Sequence, residues 1–139
     1  MSVMQVRIPR KLRTVPALLA LAGAWSSPLP GAETTQEFTL ILADHRFTPD
    51  TITVQVGRPV MMTLINQDSI TPHNFTLLNE DAGLDIDTDV SARTSSTIEF
   101  TPSAVGTYTF YCDKKLPFLK SHRQQGMEGT LIVEDEDPE

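Results

Sequence analysis

From Glu37 onward, apolar and polar residues alternate in short runs broken by turn residues, and no long segment carries a helical period. Thr51 to Val56 alternates strictly, with Ile52, Val54 and Val56 on one side, and stops at Gly57-Arg58-Pro59. Val60 to Asn66 is more continuously apolar, which predicts a strand covered on both faces with Met61 and Met62 in the core. Asn74 to Leu78 sets Phe75 and Leu77 on one side, and Ser95 to Phe100 repeats the pattern through Ile98 and Phe100. Gly106 to Cys112 and Gly129 to Val133 complete the set, with Glu37 to Leu42 as the first strand. About seven short strands in roughly a hundred residues predict an all-β fold, an antiparallel Greek-key β-sandwich. Asn79 to Thr94 is the least regular stretch and reads as a solvated acidic connection. Its Asp85, Asp87 and Asp89 echo a calcium loop, but the sixth and twelfth positions hold Val90 and Ser96 where Gly and Glu are required.

Residues 1–32 have a different character. A basic run (Arg7, Arg10, Lys11, Arg13) precedes the apolar stretch Val15 to Trp25, followed by small residues and prolines up to Gly31-Ala32. This is the layout of a signal peptide, with an apolar core too short to span a bilayer. Cleavage near Ala32 or after Ala22-Gly23-Ala24 is expected over the alternative of a retained N-terminal anchor, leaving residues 33–139 as one domain with a short acidic C-terminal tail, in a periplasm or otherwise outside the cytoplasm. No cysteine lies near these positions to carry a lipid anchor, and no twin-arginine pair is present. The processed chain keeps seven basic residues against eighteen acidic ones, a net of −11. Such a domain seeks neither nucleic acid nor an anionic membrane surface, and no stable membrane insertion is expected of it. The charge serves solubility, and it can also steer a basic partner at a rate that falls with salt.

A single cysteine, Cys112, cannot form an internal disulfide. It is a buried small hydrophobe, an intermolecular bridge or a functional thiol, and its surroundings favour the last. Tyr108, Phe110 and Cys112 share one strand face, so the sulfur leaves the strand end at the rim of the apolar interior. His122 and Met127 follow on the next connection, in His122-Arg123-Gln124-Gln125-Gly126-Met127, and His73 precedes another strand in Pro72-His73-Asn74-Phe75. One thiolate, two imidazoles and a thioether are the donor set of a mononuclear blue-copper site. A metal there would deprotonate the thiol outright. Gln124 and Gln125 offer a rival oxygen donor to Met127, while His45 reads as a surface residue.

In these residues the chain resembles the cupredoxins, the blue copper proteins of the plastocyanin and azurin kind. The matching elements are Phe47-x-Pro49 with Ile52-x-Val54-x-Val56-Gly57, Asn66, Pro72-His73-Asn74-Phe75, Gly106-x-Tyr108-x-Phe110-Tyr111-Cys112 and His122-x-x-x-Gly126-Met127-x-Gly129, spanning Phe38 to Val133. The resemblance implies that His73, Cys112 and His122 are strong equatorial ligands of one copper ion, Cu(I) or Cu(II), and that Met127 is the weak axial ligand. Asn74 would then tie the two ligand loops together. One departure stands out: nine residues, Asp113 to Ser121, separate Cys112 from His122, more than is common in the family. This insert carries Leu116, Phe118 and Leu119 amid Lys114, Lys115 and Lys120. Its apolar side chains either fold back over the open end of the sandwich or form a docking patch beside the metal.

The function expected is that of a one-electron carrier, a monomer that exchanges electrons with a redox partner protein. The alternative is a module that stores, delivers or senses copper without fast electron transfer. An enzyme is not expected, because His45, His73 and His122 are the only histidines and leave no second cluster for a catalytic copper. A dinuclear electron-transfer centre would need a second cysteine.

Overall fold

In the computed structural model the described residues are 34–135. The segment read as a signal peptide and the last residues of the acidic tail lie outside them. Among the described residues the chain forms nine strands: β1 (Gln36–Ala43), β2 (Arg46–Thr48), β3 (Thr51–Gln55), β4 (Val60–Asn66), β5 (His73–Asn79), β6 (Leu84–Val90), β7 (Ser95–Phe100), β8 (Gly106–Tyr111) and β9 (Glu128–Glu134). They build a four-stranded sheet in the order β2-β1-β4-β7 and a five-stranded sheet in the order β3-β9-β8-β5-β6. The expected all-β sandwich is therefore present. Both sheets are mixed, however, because β1 runs parallel to β4 and β3 parallel to β9. Strand direction leaves no trace in side-chain alternation, which reports only which face each residue takes.

Two of the strands were not expected. β2 is a three-residue return of β1, pairing Ala43 with Arg46 across a two-residue turn. β6 replaces the irregular connection expected over Asn79 to Thr94. Leu84 and Val90 are buried at its ends, while Asp85, Asp87 and Asp89 line its exposed face. The alternation is strict, but aspartate is poor in strands and disguises it. β6 pairs with β5 along its whole length, from His73 opposite Val90 to Asn79 opposite Leu84.

Apolar faces from both sheets meet in one core that includes Leu40, Leu42, Leu64, Phe75, Phe110 and Leu131. β4 is buried on one face and half-covered on the other, so Met62 is in the core and Met61 is not. Phe75 and Phe110 stack at 5.1 Å between ring centroids, and Phe47 meets Phe110 edge-on, also at 5.1 Å. Period-two geometry then puts His73 on the Phe75 side of β5 and Cys112 on the Phe110 side of β8. Packing of the two rings thus brings both chemical side chains to one end of the sandwich.

Candidate metal centre

Two connections, β4–β5 and β8–β9, meet at that end. His73 opens β5, Cys112 follows β8 directly, and His122 leads a 3-10 turn over Arg123–Gln125 before β9. The donor atoms of His73, Cys112 and His122 all lie within 4.8 Å of one another. The Cys112 Sγ is 3.4 Å from Nδ1 of His122 and 3.8 Å from Nδ1 of His73, and the two Nδ1 atoms are 3.0 Å apart. His73, Cys112 and Met127 are fully buried, and His122 is only 7% exposed.

Backbone hydrogen bonds fold the loop so that this convergence is possible. The Cys112 N–H donates to the Met127 carbonyl at 3.1 Å, and the Met127 N–H donates to the His122 carbonyl at 2.9 Å. His122 N–H reaches back across the insert to the Lys114 carbonyl at 2.8 Å, so the long segment between Cys112 and His122 is a closed excursion that leaves the donors together. Gly126 sits at φ 100°, a conformation that favours glycine and turns the chain toward Met127. Gln124 and Gln125 are exposed and their amides serve the loop itself, binding the Ser121 N–H and the Lys120 carbonyl.

Asn74 joins the two ligand segments. Its N–H donates to the Cys112 sulfur at 3.3 Å, and its side-chain oxygen accepts the Asp113 N–H at 3.0 Å. The first bond steadies a developing thiolate, and the second locks the residue after Cys112 beside the residue after His73.

Electrostatics around the donors favour a neutral His122 imidazole. Burial, with repulsion from His45 and His73, pushes His122 down to about 4, so near neutral pH it keeps a lone pair for a metal. Burial pushes the Cys112 thiol up, against the pull of backbone N–H groups of Asn74 and Lys114. A buried thiol beside the uncharged His122 imidazole holds its proton until a cation takes its place. The donors are one nitrogen from the β4–β5 connection and one sulfur and one nitrogen from the β8–β9 loop, with the buried Met127 thioether on that second loop. That set fits a soft, singly or doubly charged copper ion.

Two residues at the centre gave no signal in the chain. His45 is half-buried, not on the open surface, and its ring meets that of His122 edge-on at 4.4 Å. Asp68, five residues before His73, places Oδ2 2.7 Å from His73 Nε2. Burial raises the Asp68 pKa, but hydrogen bonds from His73 and from the Asp44 N–H outweigh it and hold the carboxyl below its usual range. A three-dimensional turn brings both residues in, and no spacing rule connects either to the ligand loops.

The cupredoxin-like domain family matches residues 15–133. The chain belongs to the cupredoxin family. It is 30% identical over 103 residues to a plastocyanin from Dryopteris crassirhizoma, covering 66% of this chain and 91% of that protein. Among solved structures, reduced auracyanin from Roseiflexus castenholzii is 25% identical with a TM-score of 0.57, covering 75% of this chain and 99% of its own. Auracyanin A from Chloroflexus aurantiacus, described as a "blue" copper protein, shares the fold at a TM-score of 0.58 and 20% identity, over 73% of this chain and all of that one. The family and the His-Cys-His cluster together make this cupredoxin a type 1 copper protein whose cofactor is a single copper ion.

The insert of this cupredoxin does not close over the end of the sandwich. Leu116, Phe118 and Leu119 are all exposed, as is Ile70 across the way. Ile70, Leu116 and Leu119 line a recess of about 380 Å³ that reaches inward to His45 and His122. Phe118 is fully exposed at a φ of 65°, an unusual conformation for a bulky residue.

Proposed function

We propose that this cupredoxin is a one-electron carrier, acting outside the cytoplasm, in which His73, Cys112, His122 and Met127 hold the copper. Convergence of three buried donors from two separate connections supports that reading most directly. Bound copper supplies a couple between Cu(I) and Cu(II). The chain's own residues supply the rest: Cys112 a soft anionic sulfur, His73 and His122 neutral nitrogens suited to both states, and Met127 a weak fourth donor. Asn74 and the Met127 backbone hold the thiol in place, and the aromatic core beneath keeps water out. Donors fixed by a packed sandwich move little when the charge changes, which keeps the reorganisation cost low.

Electron exchange with a partner protein is assigned to the recess beside His122. Its rim combines Ile70, Leu116 and Leu119 with Lys114, Lys115 and Lys120, on a chain whose net charge is otherwise negative. Lys114 is paired to Asp89 at 2.7 Å, whereas among the described residues Lys115 and Lys120 make no ion pair. An apolar redox face with an acidic margin complements this rim. The N-terminal segment 1–32, read as a signal peptide, supports export ahead of residues 33–139. Among the described residues no helix is long and apolar enough to cross a membrane.

The test is the colour and voltammetry of the chain loaded with Cu(II). An intense visible thiolate-to-copper band, lost in Cys112→Ser, and a fast reversible one-electron wave are expected. A colourless solution removes the site; a blue protein with sluggish, irreversible voltammetry indicates storage or delivery in place of transfer.

A further inference from the structure

We infer that Asp68 is a positioning residue for the metal centre, fixing the His73 imidazole through Nε2 and biasing the site toward the oxidised metal. The inference rests on the reading of His73 as a copper ligand.

The geometry is specific. A neutral imidazole carries one ring proton, and the nitrogen that holds it is set by the partner of the other nitrogen. Asp68 Oδ2 stands 2.7 Å from Nε2 of the fully buried His73, and a carboxylate only accepts, so the proton resides on Nε2. Nδ1 is then left as a lone pair, facing Cys112 Sγ and His122 Nδ1. Hydrogen-bonded carboxylates on metal-binding imidazoles raise ligand basicity and fix ring orientation.

Asp68 is itself held from several sides. Its Oδ1 accepts the Asp44 N–H at 3.2 Å, and its own N–H donates to Asn66 Oδ1 at 3.0 Å. The Asn66 amide in turn donates to the carbonyls of Thr71 and Val90, both at 2.9 Å. The β1–β2 turn therefore holds the carboxylate, and the ends of β4 and β6 hold the Asp68 backbone through Asn66, so that the carboxylate bears on His73. The Asp44 N–H belongs to the turn that carries His45, whose ring meets His122. A backbone carbonyl would orient the ring equally well. A carboxylate adds a negative charge at the back of His73, which favours Cu(II) over Cu(I).

Asp68→Asn and Asp68→Ala separate these roles, measured on the full chain with the metal removed and then with Cu(II) alone as the probe. In the metal-free wild type, nitrogen-resolved NMR should find the His73 proton on Nε2, and in Asp68→Ala the two tautomers should mix. Cu(II) affinity from chelator competition should fall about 10- to 100-fold in Asp68→Ala. In Asp68→Asn, which keeps shape and one acceptor oxygen, the blue band should persist while the reduction potential rises. A blue wild type whose two variants match it in tautomer, affinity and potential overturns the inference. A potential unchanged in Asp68→Asn overturns the charge effect even if Asp68→Ala weakens binding or fails to fold. A wild type that never turns blue defeats the copper-site reading instead, and leaves the tautomer measurement to judge Asp68 on its own.

Discussion

His45 meets His122 edge to face, with ring centroids 4.4 Å apart and planes at 87°. The contact depends on the two-residue turn between β1 and β2, where Asp44 and His45 have φ of 50° and 56°. Two positive φ values are what a tight hairpin turn with the right twist requires, and neither residue is the glycine that would adopt them freely. The ring therefore stands where it does at a cost of about 1 kcal/mol or more. Its effect on His122 is to add cover and repulsion, both of which hold the imidazole neutral. Replacing His45 with Gly should move the His122 titration in the metal-free protein upward from about 4 toward the ordinary 6.5, followed by proton NMR. The blue band on Cu(II) loading should remain, since His45 is not among the converging donors. An unmoved titration would show that the edge contact has no electrostatic consequence.

The same shift makes a prediction for stability against pH in the metal-free protein. His122 is depressed in the fold, so between 6.5 and about 4 the unfolded chain binds a proton that the folded one refuses. Stability present above pH 6.5 is therefore lost as pH falls through that window. Asp68, also depressed, adds to the loss further down, as the unfolded carboxylate protonates near its ordinary 3.8 ahead of the folded one. Cys112 acts at the other end. Its pKa is raised above 9.0, so the unfolded thiol ionises first and stability falls as pH climbs beyond that value. Denaturant melts of the chelator-treated protein should thus show a plateau between about pH 6.5 and 9, falling on both sides. Copper loading should abolish the alkaline fall, because the bound thiolate has no proton to lose.

For the proposed docking face, Leu119 on the wall of the recess and its exposed chain neighbour Phe118 are the informative positions. They are exposed, lie in the insert and are not among the converging donors. Changing both to Ser should slow electron exchange with the cognate partner by about tenfold or more, since buried anchors at interfaces commonly cost over 1 kcal/mol when removed. The visible band and the potential should stay as they are. Changing Lys115 and Lys120 to Gln should lower the rate at low salt and flatten its salt dependence. Stopped-flow kinetics that are indifferent to both pairs of changes would place the partner elsewhere on the surface.

The convergence of His73 and Cys112 was legible because each stands beside a strand whose alternation is clean. Phe75 fixes the face of His73, and Phe110 fixes the face of Cys112, so a period of two sufficed to converge them. His122 and Met127 were legible from Gly126 and Gly129, which mark the turn and the close approach that follow. β6 was hidden because Asp85, Asp87 and Asp89 suit a loop by propensity, and only the pairing with β5 makes a strand of them. His45 and Asp68 were hidden for another reason. Each reaches the centre from a turn on a different connection, by contacts spanning 77 positions from His45 to His122 in one case and a local bend of the 66–73 segment in the other. Alternation carries no information about such turns. The parallel pairing of β1 with β4 was invisible on the same ground.

Gly129 offers a test of how tightly the core and the metal loop are joined. It pairs with Phe110 across β8 and β9, two residues after Met127. A Cβ added there would run into the Phe110 ring and lie 2.6 Å from the Asp50 carbonyl oxygen. Neither neighbour gives way easily, because the Phe110 ring is stacked on Phe75 and the Asp50 carbonyl accepts the Thr130 N–H at 2.7 Å. Gly129→Ala should therefore destabilise the fold by about 1–3 kcal/mol, the usual cost of overpacking a dense core. Phe110 lies two residues from Cys112 on the same face, so the ring that must move is the one beneath the sulfur. The variant is thus expected to shift the thiolate-to-copper band as well as the melting midpoint. Gly126→Ala, where a Cβ meets nothing within 4 Å, should cost stability through its φ of 100° alone and leave Phe110 undisturbed. A Gly129→Ala protein that melts early with an unaltered spectrum would show that the aromatic core does not govern the position of the sulfur.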